Sequence, residues 1–172
     1  KIESTIVRHV KGTKKECSVE DILEAEKNEY NLFRRDVFKT EWLHNKPQKT
    51  DEMLFAMSIG RHLGLPCRLI DVTASLETAI WFAVMNPKFH NVDGEIILIY
   101  LGKNDVLETN QSPFNATKLS YAHEPFMTDS LSDLPLGEQR RFVQNGHFIW
   151  VDNNSLLNEE QVILKSATAL IR

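Results

Sequence analysis

The densest run of chemically capable side chains in the sequence is Arg61-His62-Leu63-Gly64-Leu65-Pro66-Cys67-Arg68-Leu69-Ile70-Asp71-Val72-Thr73. It sets two guanidinium groups, an imidazole, a carboxylate and a hydroxyl between two apolar segments, with a glycine and a proline fixing the path of the chain. These residue types hold anions, handle protons and orient substrates. Placed beside a core, they must also be hydrogen-bonded. Side chains alternate along an extended backbone, so Leu69, Asp71 and Thr73 share one face and Arg68, Ile70 and Val72 the other. A structural arrangement also accounts for them: Asp71 and Thr73 cap the following helix, Arg68 pairs with a carboxylate, and His62 meets the last carbonyls of the preceding helix. Other chemistries lack their motifs, since the chain has no GxSxG, no HExxH and no Walker glycine loop. His44, His62, His90, His123 and His147 have no metal-site spacing, and no metal is expected.

The elements that position this run are legible on either side of it. Ser18 precedes Glu20 and Asp21 and the apolar positions Ile22, Leu23, Tyr30, Phe33 and Val37, which predicts a capped helix over about 19–39. Asp51 and Glu52 open a second helix, Met53 to Leu63, closed by Gly64 with Pro66 beyond it. Arg68 to Val72 reads as a short strand. Ser75 or Thr73 then caps a third helix, Leu76 to Met85, whose apolar residues on every side predict burial. Gly94 to Gly102 has the β-branched character of a central strand. The stretch Asn104 to Gly137 shows no strong periodicity, and a segment of that kind tends to be functional or mobile rather than a simple connector. Gln144-Asn145-Gly146 reads as a turn, His147 to Val151 as a strand, and Gln161 to Leu164 as a strand or the start of a last helix. Helices first and strands later predict an α+β fold rather than a doubly wound sheet.

Composition narrows the function classes. A chain of 172 residues with 42% hydrophobic and 26% charged residues is sized for one globular domain, residues 1–172. The formal charge of −4 gives no general basic face for nucleic acid, and the cluster Lys11 to Lys15 sits among acids. No run reaches the ~18 apolar residues of a membrane span, and the first residues do not resemble a secretory signal. Cys17 and Cys67 form no CxxC, so they are expected as thiols of a reducing, cytoplasmic setting.

The central run also resembles the signature of the FRG domain family, Gln-His-x-Gly-Leu-Pro-Thr-Arg-Leu-Leu-Asp-Trp-Thr followed by an apolar helix ending in Phe-Ala. His62, Gly64, Leu65, Pro66, Arg68, Leu69, Asp71, Thr73, Ala79, Phe82 and Ala83 match. Arg61, Cys67 and Val72 depart from it, standing where the family has Gln, Thr and Trp. Ile2 to Arg8 is similar to the segment after the family's name-giving Phe/Tyr-Arg-Gly, which is therefore expected upstream of Lys1. Arg141 to Phe148 is similar to the later Arg-x-x-x-Gln-x-Gly-x-Phe.

The resemblance implies a fold distantly similar to that of ADP-ribosyltransferases, with N-terminal helices packed on a mostly antiparallel split sheet that binds NAD in a cleft. It further implies NAD-dependent ADP-ribosyl transfer or NAD cleavage in a bacterial or phage toxin or defence setting. In that chemistry an Arg or His holds phosphate or ribose, a hydroxyl flanks the nicotinamide, and a Glu or Gln orients the sugar as positive charge develops on it. By the resemblance, His62, Glu138 and Gln144 are the catalytic candidates. His62, Arg68, Asp71 and Thr73 are the NAD-binding ones, with Asp71 orienting Arg68 or capping a helix. The alternative is a noncatalytic module that binds a nucleotide or a protein through Asn104 to Gly137, with Phe114, Tyr121 and Phe126 exposed.

Overall fold

The structure is a computed structural model that describes residues 2–38, 51–85, 95–99, 120–123 and 146–167, with backbone alone at 120–123 and 164–167. Two helices lead the chain. In α1 (Thr5–Thr13) the buried positions Ile6, Val7 and Val10 recur at helical spacing and form one stripe. That stripe packs with Ile22 of α2 (Val19–Asp36) and with Val151 and Leu156. Ser18 starts α2 with a capping box: Asp21 N donates to Ser18 Oγ at 3.1 Å, and Ser18 N donates to the Asp21 carboxylate at 3.0 Å. The bridge from Lys14, together with these Ser18 bonds, brings the Asp21 carboxyl down to about 2.

Asp51 opens α3 (Glu52–His62), its carboxylate accepting from Met53 N at 2.9 Å and Leu54 N at 3.1 Å. Every residue from Leu54 to Gly60 is buried, so α3 is the central helix of the described core. Its end is a Schellman turn. Leu65 N donates to Gly60 O at 2.8 Å and Gly64 N to Arg61 O at 3.3 Å, with Gly64 at φ +92°. Gly60 permits that turn to close, because a Cβ there would lie 2.6 Å from Leu65 Cδ2.

The chain continues into β1 (Leu69–Thr73) and then α4 (Leu76–Val84), where Ser75 Oγ accepts from Thr78 N at 3.1 Å. β2 (Ser120–His123) and β3 (Gly146–Trp150) complete a three-stranded sheet in the order β1-β3-β2, antiparallel at both ladders. Asp71 is opposite Phe148, Val72 opposite His147, and His147 opposite His123. α3 covers one sheet face through Leu54, Met57, Leu69, Phe148 and Trp150. A 3-10 turn (Asn153–Ser155) leads to α5 (Glu159–Ala167).

The α+β class and the antiparallel pairing therefore match the expectation, and several elements correct it. α1 was not foreseen. Gln161 to Leu164, left open between a strand and a last helix, lies in α5. β2 falls inside the stretch expected to be irregular. Glu95 to Ile99, the described part of the expected strand Gly94 to Gly102, lies in no ladder among the described residues: β-branched residues favour extended backbone, but a strand also needs a neighbour's hydrogen bonds. α4 is not buried. Leu76, Ile80, Trp81, Phe82, Val84 and Met85 are exposed, because apolar residues encircle the helix while only Thr78, Ala79 and Ala83 reach even half-burial. Cys17 and Cys67 are both thiols. Among the described residues no helix is long and apolar enough to cross a membrane.

One buried ion pair ties these pieces together. Arg68 and Glu26 are each almost wholly inaccessible, at 0% and 1% exposure. Arg68 Nε donates to Glu26 Oε2 at 2.8 Å, Nη2 donates to the same oxygen, and Arg68 N donates to Oε1 at 2.9 Å. On its other side Nη1 donates to Asn153 Oδ1 at 2.6 Å and to Val151 O at 3.4 Å, and the guanidinium lies 4.8 Å from the Trp150 ring centroid. Removing the carboxylate would leave a buried cation without its counter-charge, which costs about 3–5 kcal/mol. Glu26→Gln is expected to lower the unfolding free energy by about that amount in urea denaturation, and Glu26→Leu combined with Arg68→Met to cost less than Glu26→Leu alone.

A second buried carboxylate joins the two ends of the described chain. Glu159 accepts from Ser4 N at 2.5 Å and from Ser4 Oγ at 2.6 Å. Burial pushes its carboxyl up, against those two bonds. The folded state thus holds the Glu159 proton more tightly than the unfolded chain does. The stability this contributes is present below the ordinary carboxylate range and is lost as pH rises through the raised value. Glu159→Gln should therefore gain stability relative to the parent chain between pH 4 and pH 7, measured by urea unfolding at both.

Candidate functional site

The signature run divides between core and surface. Leu65, Cys67, Arg68 and Leu69 are buried. Cys67 is fixed at its backbone: Thr5 Oγ1 donates to Cys67 O at 3.0 Å, and Cys67 N donates to Thr5 Oγ1 at 3.1 Å. Burial pushes its thiol up to about 12, so it is not a nucleophile at neutral pH. Arg68 is held by Glu26, Asn153, Val151 O and the Trp150 face. The structural expectation that Arg68 pairs with a carboxylate is met, and this pairing keeps its guanidinium inside the core.

Of the remaining polar residues, Arg61, His62 and Asp71 gather at the β1 edge of the sheet, and Thr73 follows two residues beyond Asp71 on the same strand. Arg61 and His62 stand on the last turn of α3, and Asp71 and Thr73 on β1, which the Gly64 turn brings back beside it. Arg61 Nη2 donates to Asp71 Oδ2 at 2.6 Å. The Arg61 side chain is 20% exposed and that of Asp71 52%. Asp71 thus partners Arg61, not Arg68 as expected: Arg68 leaves the chain toward α2, on the other side of the alternation. His62 is exposed, and its ring centroid lies 6.2 Å from that of Phe148, the residue opposite Asp71. Thr73 is half-buried, and its Oγ1 accepts from Ser75 N at 3.1 Å. The cap of α4 is therefore Ser75, with Thr73 shaping the turn that leads to it.

Arg61, His62, Asp71 and Thr73 form the rim. Two further candidates, Glu138 and Gln144, lie outside the described residues, as do Phe114 and Phe126, while Tyr121 is in β2. Arg61, Glu26 and Phe148 were not foreseen as functional or structural partners. Glu26 carried a readable signal, since it lies four residues from Ile22 and from Tyr30 on the apolar stripe of α2. A cavity of about 180 Å³ lies elsewhere, between Glu3, Lys11 and the start of α5, and no rim residue lines it. Among the described residues no group of three His, Cys, Asp or Glu is placed to hold a metal ion.

Chemically, the rim offers a guanidinium, an imidazole, a carboxylate and a hydroxyl on rigid elements. Such a set can bind an oxyanion, orient a sugar hydroxyl and handle a proton. No curated protein and no solved structure gives a match to this chain. The FRG domain profile matches residues 1–91, more than half of the chain, and this span holds α1 to α4, the buried Glu26–Arg68 pair and the whole rim. On that match the chain belongs to the FRG domain family.

Proposed function

We propose that the rim of Arg61, His62, Asp71 and Thr73 binds NAD and serves ADP-ribosyl transfer or NAD cleavage. The observation that carries this reading is the Arg61–Asp71 pair at the β1 edge, with the exposed His62 ring 6.2 Å from that of Phe148, the residue opposite Asp71, and Thr73 two residues further along β1. NAD is the substrate whose chemistry suits the set. Loosening its glycosidic bond places positive charge on the ribose, which a nearby carboxylate stabilises. Asp71 is the rim carboxylate, and Glu138 and Gln144 remain the expected partners for the sugar. His62 would hold ribose or phosphate, and Thr73 would flank the nicotinamide. A split sheet like that of ADP-ribosyltransferases, a toxin or defence setting in the cytoplasm, and a protein acceptor follow from the family resemblance alone.

One observation favours the second reading, a noncatalytic nucleotide- or protein-binding module. The signature arginine is spent on the core, so part of the motif maintains the fold rather than a reaction. The two readings separate by nicotinamide release from NAD. On the transferase reading the chain releases nicotinamide, and His62→Ala lowers the rate about 100-fold or more with an unchanged melting temperature. Neither release nor saturable NAD binding by the parent chain would contradict that reading and leave the binding module.

A further inference from the structure

The family pattern has Gln where this chain has Arg61, and the structure gives this arginine an arrangement unlike that of Arg68. Arg68 has acceptors around its whole guanidinium. Arg61 has one: Nη2 donates to Asp71 Oδ2 at 2.6 Å, and among the described residues no other hydrogen bond to the side chain is formed. Its Nε is buried without an acceptor. A guanidinium carries five N–H donors, and polar groups so enclosed are ordinarily paired.

We infer that Arg61 is the anion-recognising residue of the rim, and that it receives a phosphate of a diphosphate-bearing ligand such as a nucleotide. The inference deepens the NAD reading and shares its premise that this edge binds a ligand. Three features support it. The side chain is four-fifths enclosed, so an oxyanion reaching it meets a partly desolvated cation, where charge-assisted hydrogen bonds are strongest. Asp71 engages one nitrogen and so holds the guanidinium plane while leaving the other donors to a second acceptor. A planar fork of this kind matches two phosphate oxygens at once, which neither Gln nor Lys reproduces. His62, the next residue along α3 and exposed, adds a second nitrogen-bearing group for the ligand's sugar or phosphate.

Asp71 bears on the sign of the effect. Its carboxylate neutralises Arg61 and competes with an incoming phosphate for the same guanidinium. Removing that charge with the side-chain shape retained should strengthen anion binding, whereas removing the guanidinium should weaken it.

Calorimetric titration with inorganic pyrophosphate tests this on the parent chain, Arg61→Gln, Arg61→Lys and Asp71→Asn, each checked for an unchanged melting temperature. Arg61→Gln restores the family residue and is expected to fold. The expected result is saturable binding by the parent chain, weakened at least 10-fold in Arg61→Gln, weakened less in Arg61→Lys, and strengthened in Asp71→Asn. No binding by the parent chain, or equal binding by Arg61→Gln, would overturn the inference. So would a loss in Asp71→Asn matching that in Arg61→Gln, since the pair would then act only as a brace. Pyrophosphate carries no nicotinamide, so the two readings fail separately. Arg61-dependent binding without nicotinamide release would sink the NAD reaction alone, and nicotinamide release with binding indifferent to Arg61 would sink this inference alone.

Discussion

Two opposite charges almost wholly removed from water must stay together, and the Glu26–Arg68 pair makes this a constraint on the whole described fold. Glu26 comes from the middle of α2, and Arg68 from the residue before β1. Asn153 and Val151, which complete the arginine's bonding, lie just past β3. A single guanidinium thus joins the N-terminal helices, the first strand of the sheet and the turn before α5. Its stacking on Trp150 adds the sheet face that α3 covers. Neither partner tolerates the other's absence, so the path of the chain at residue 68 is determined by α2 rather than by local propensity.

The candidate site is a consequence of that path. With Arg68 drawn inward, alternation along β1 places Asp71 and Thr73 on the face of the buried Leu69, and further along the strand that face opens, leaving Asp71 exposed and Thr73 half-buried. The Schellman turn at Gly64, closed over the bare Cα of Gly60, returns the chain so that Arg61 and His62 face the β1 edge from α3. One half of the signature therefore holds the other half in place. The N-terminal segment strengthens the arrangement: Thr5 grips Cys67 through both backbone groups, and Ser4 binds the buried Glu159 of α5.

Local signals in the sequence are legible where a local interaction decides the outcome. Ser18 and Ser75 cap helices as their positions suggest, and Gly64 ends α3 at a positive φ. β1 and β3 fall within a residue of their expected spans. The failures are tertiary. Nothing near residue 68 says that its carboxylate lies on α2, although Glu26 on an apolar stripe was a visible anomaly. The apolar character of α4 suggested burial, but hydrophobicity on all sides does not supply neighbours on all sides. The β-branched run at Glu95 to Ile99 shows the same limit for strands. At the site, His62, Asp71 and Thr73 stand at positions of the family motif, while Arg61 departs from it, so the signature gives no pointer to Arg61. For Arg68 the sequence leaves both a carboxylate partner and a ligand open, because it does not distinguish an arginine facing inward from one facing outward.

The central claim is that the signature is split, with Glu26 and Arg68 maintaining the core and Arg61, His62, Asp71 and Thr73 meeting the ligand. Amide chemical-shift mapping of the isotopically labelled chain during titration with ADP-ribose tests this most directly. The account predicts saturable shifts concentrated at residues 61, 62, 71 and 73 and at Phe148, with residues 26 and 68 nearly unmoved. Shifts centred on the cavity between Glu3, Lys11 and α5, with the rim unmoved, would contradict it.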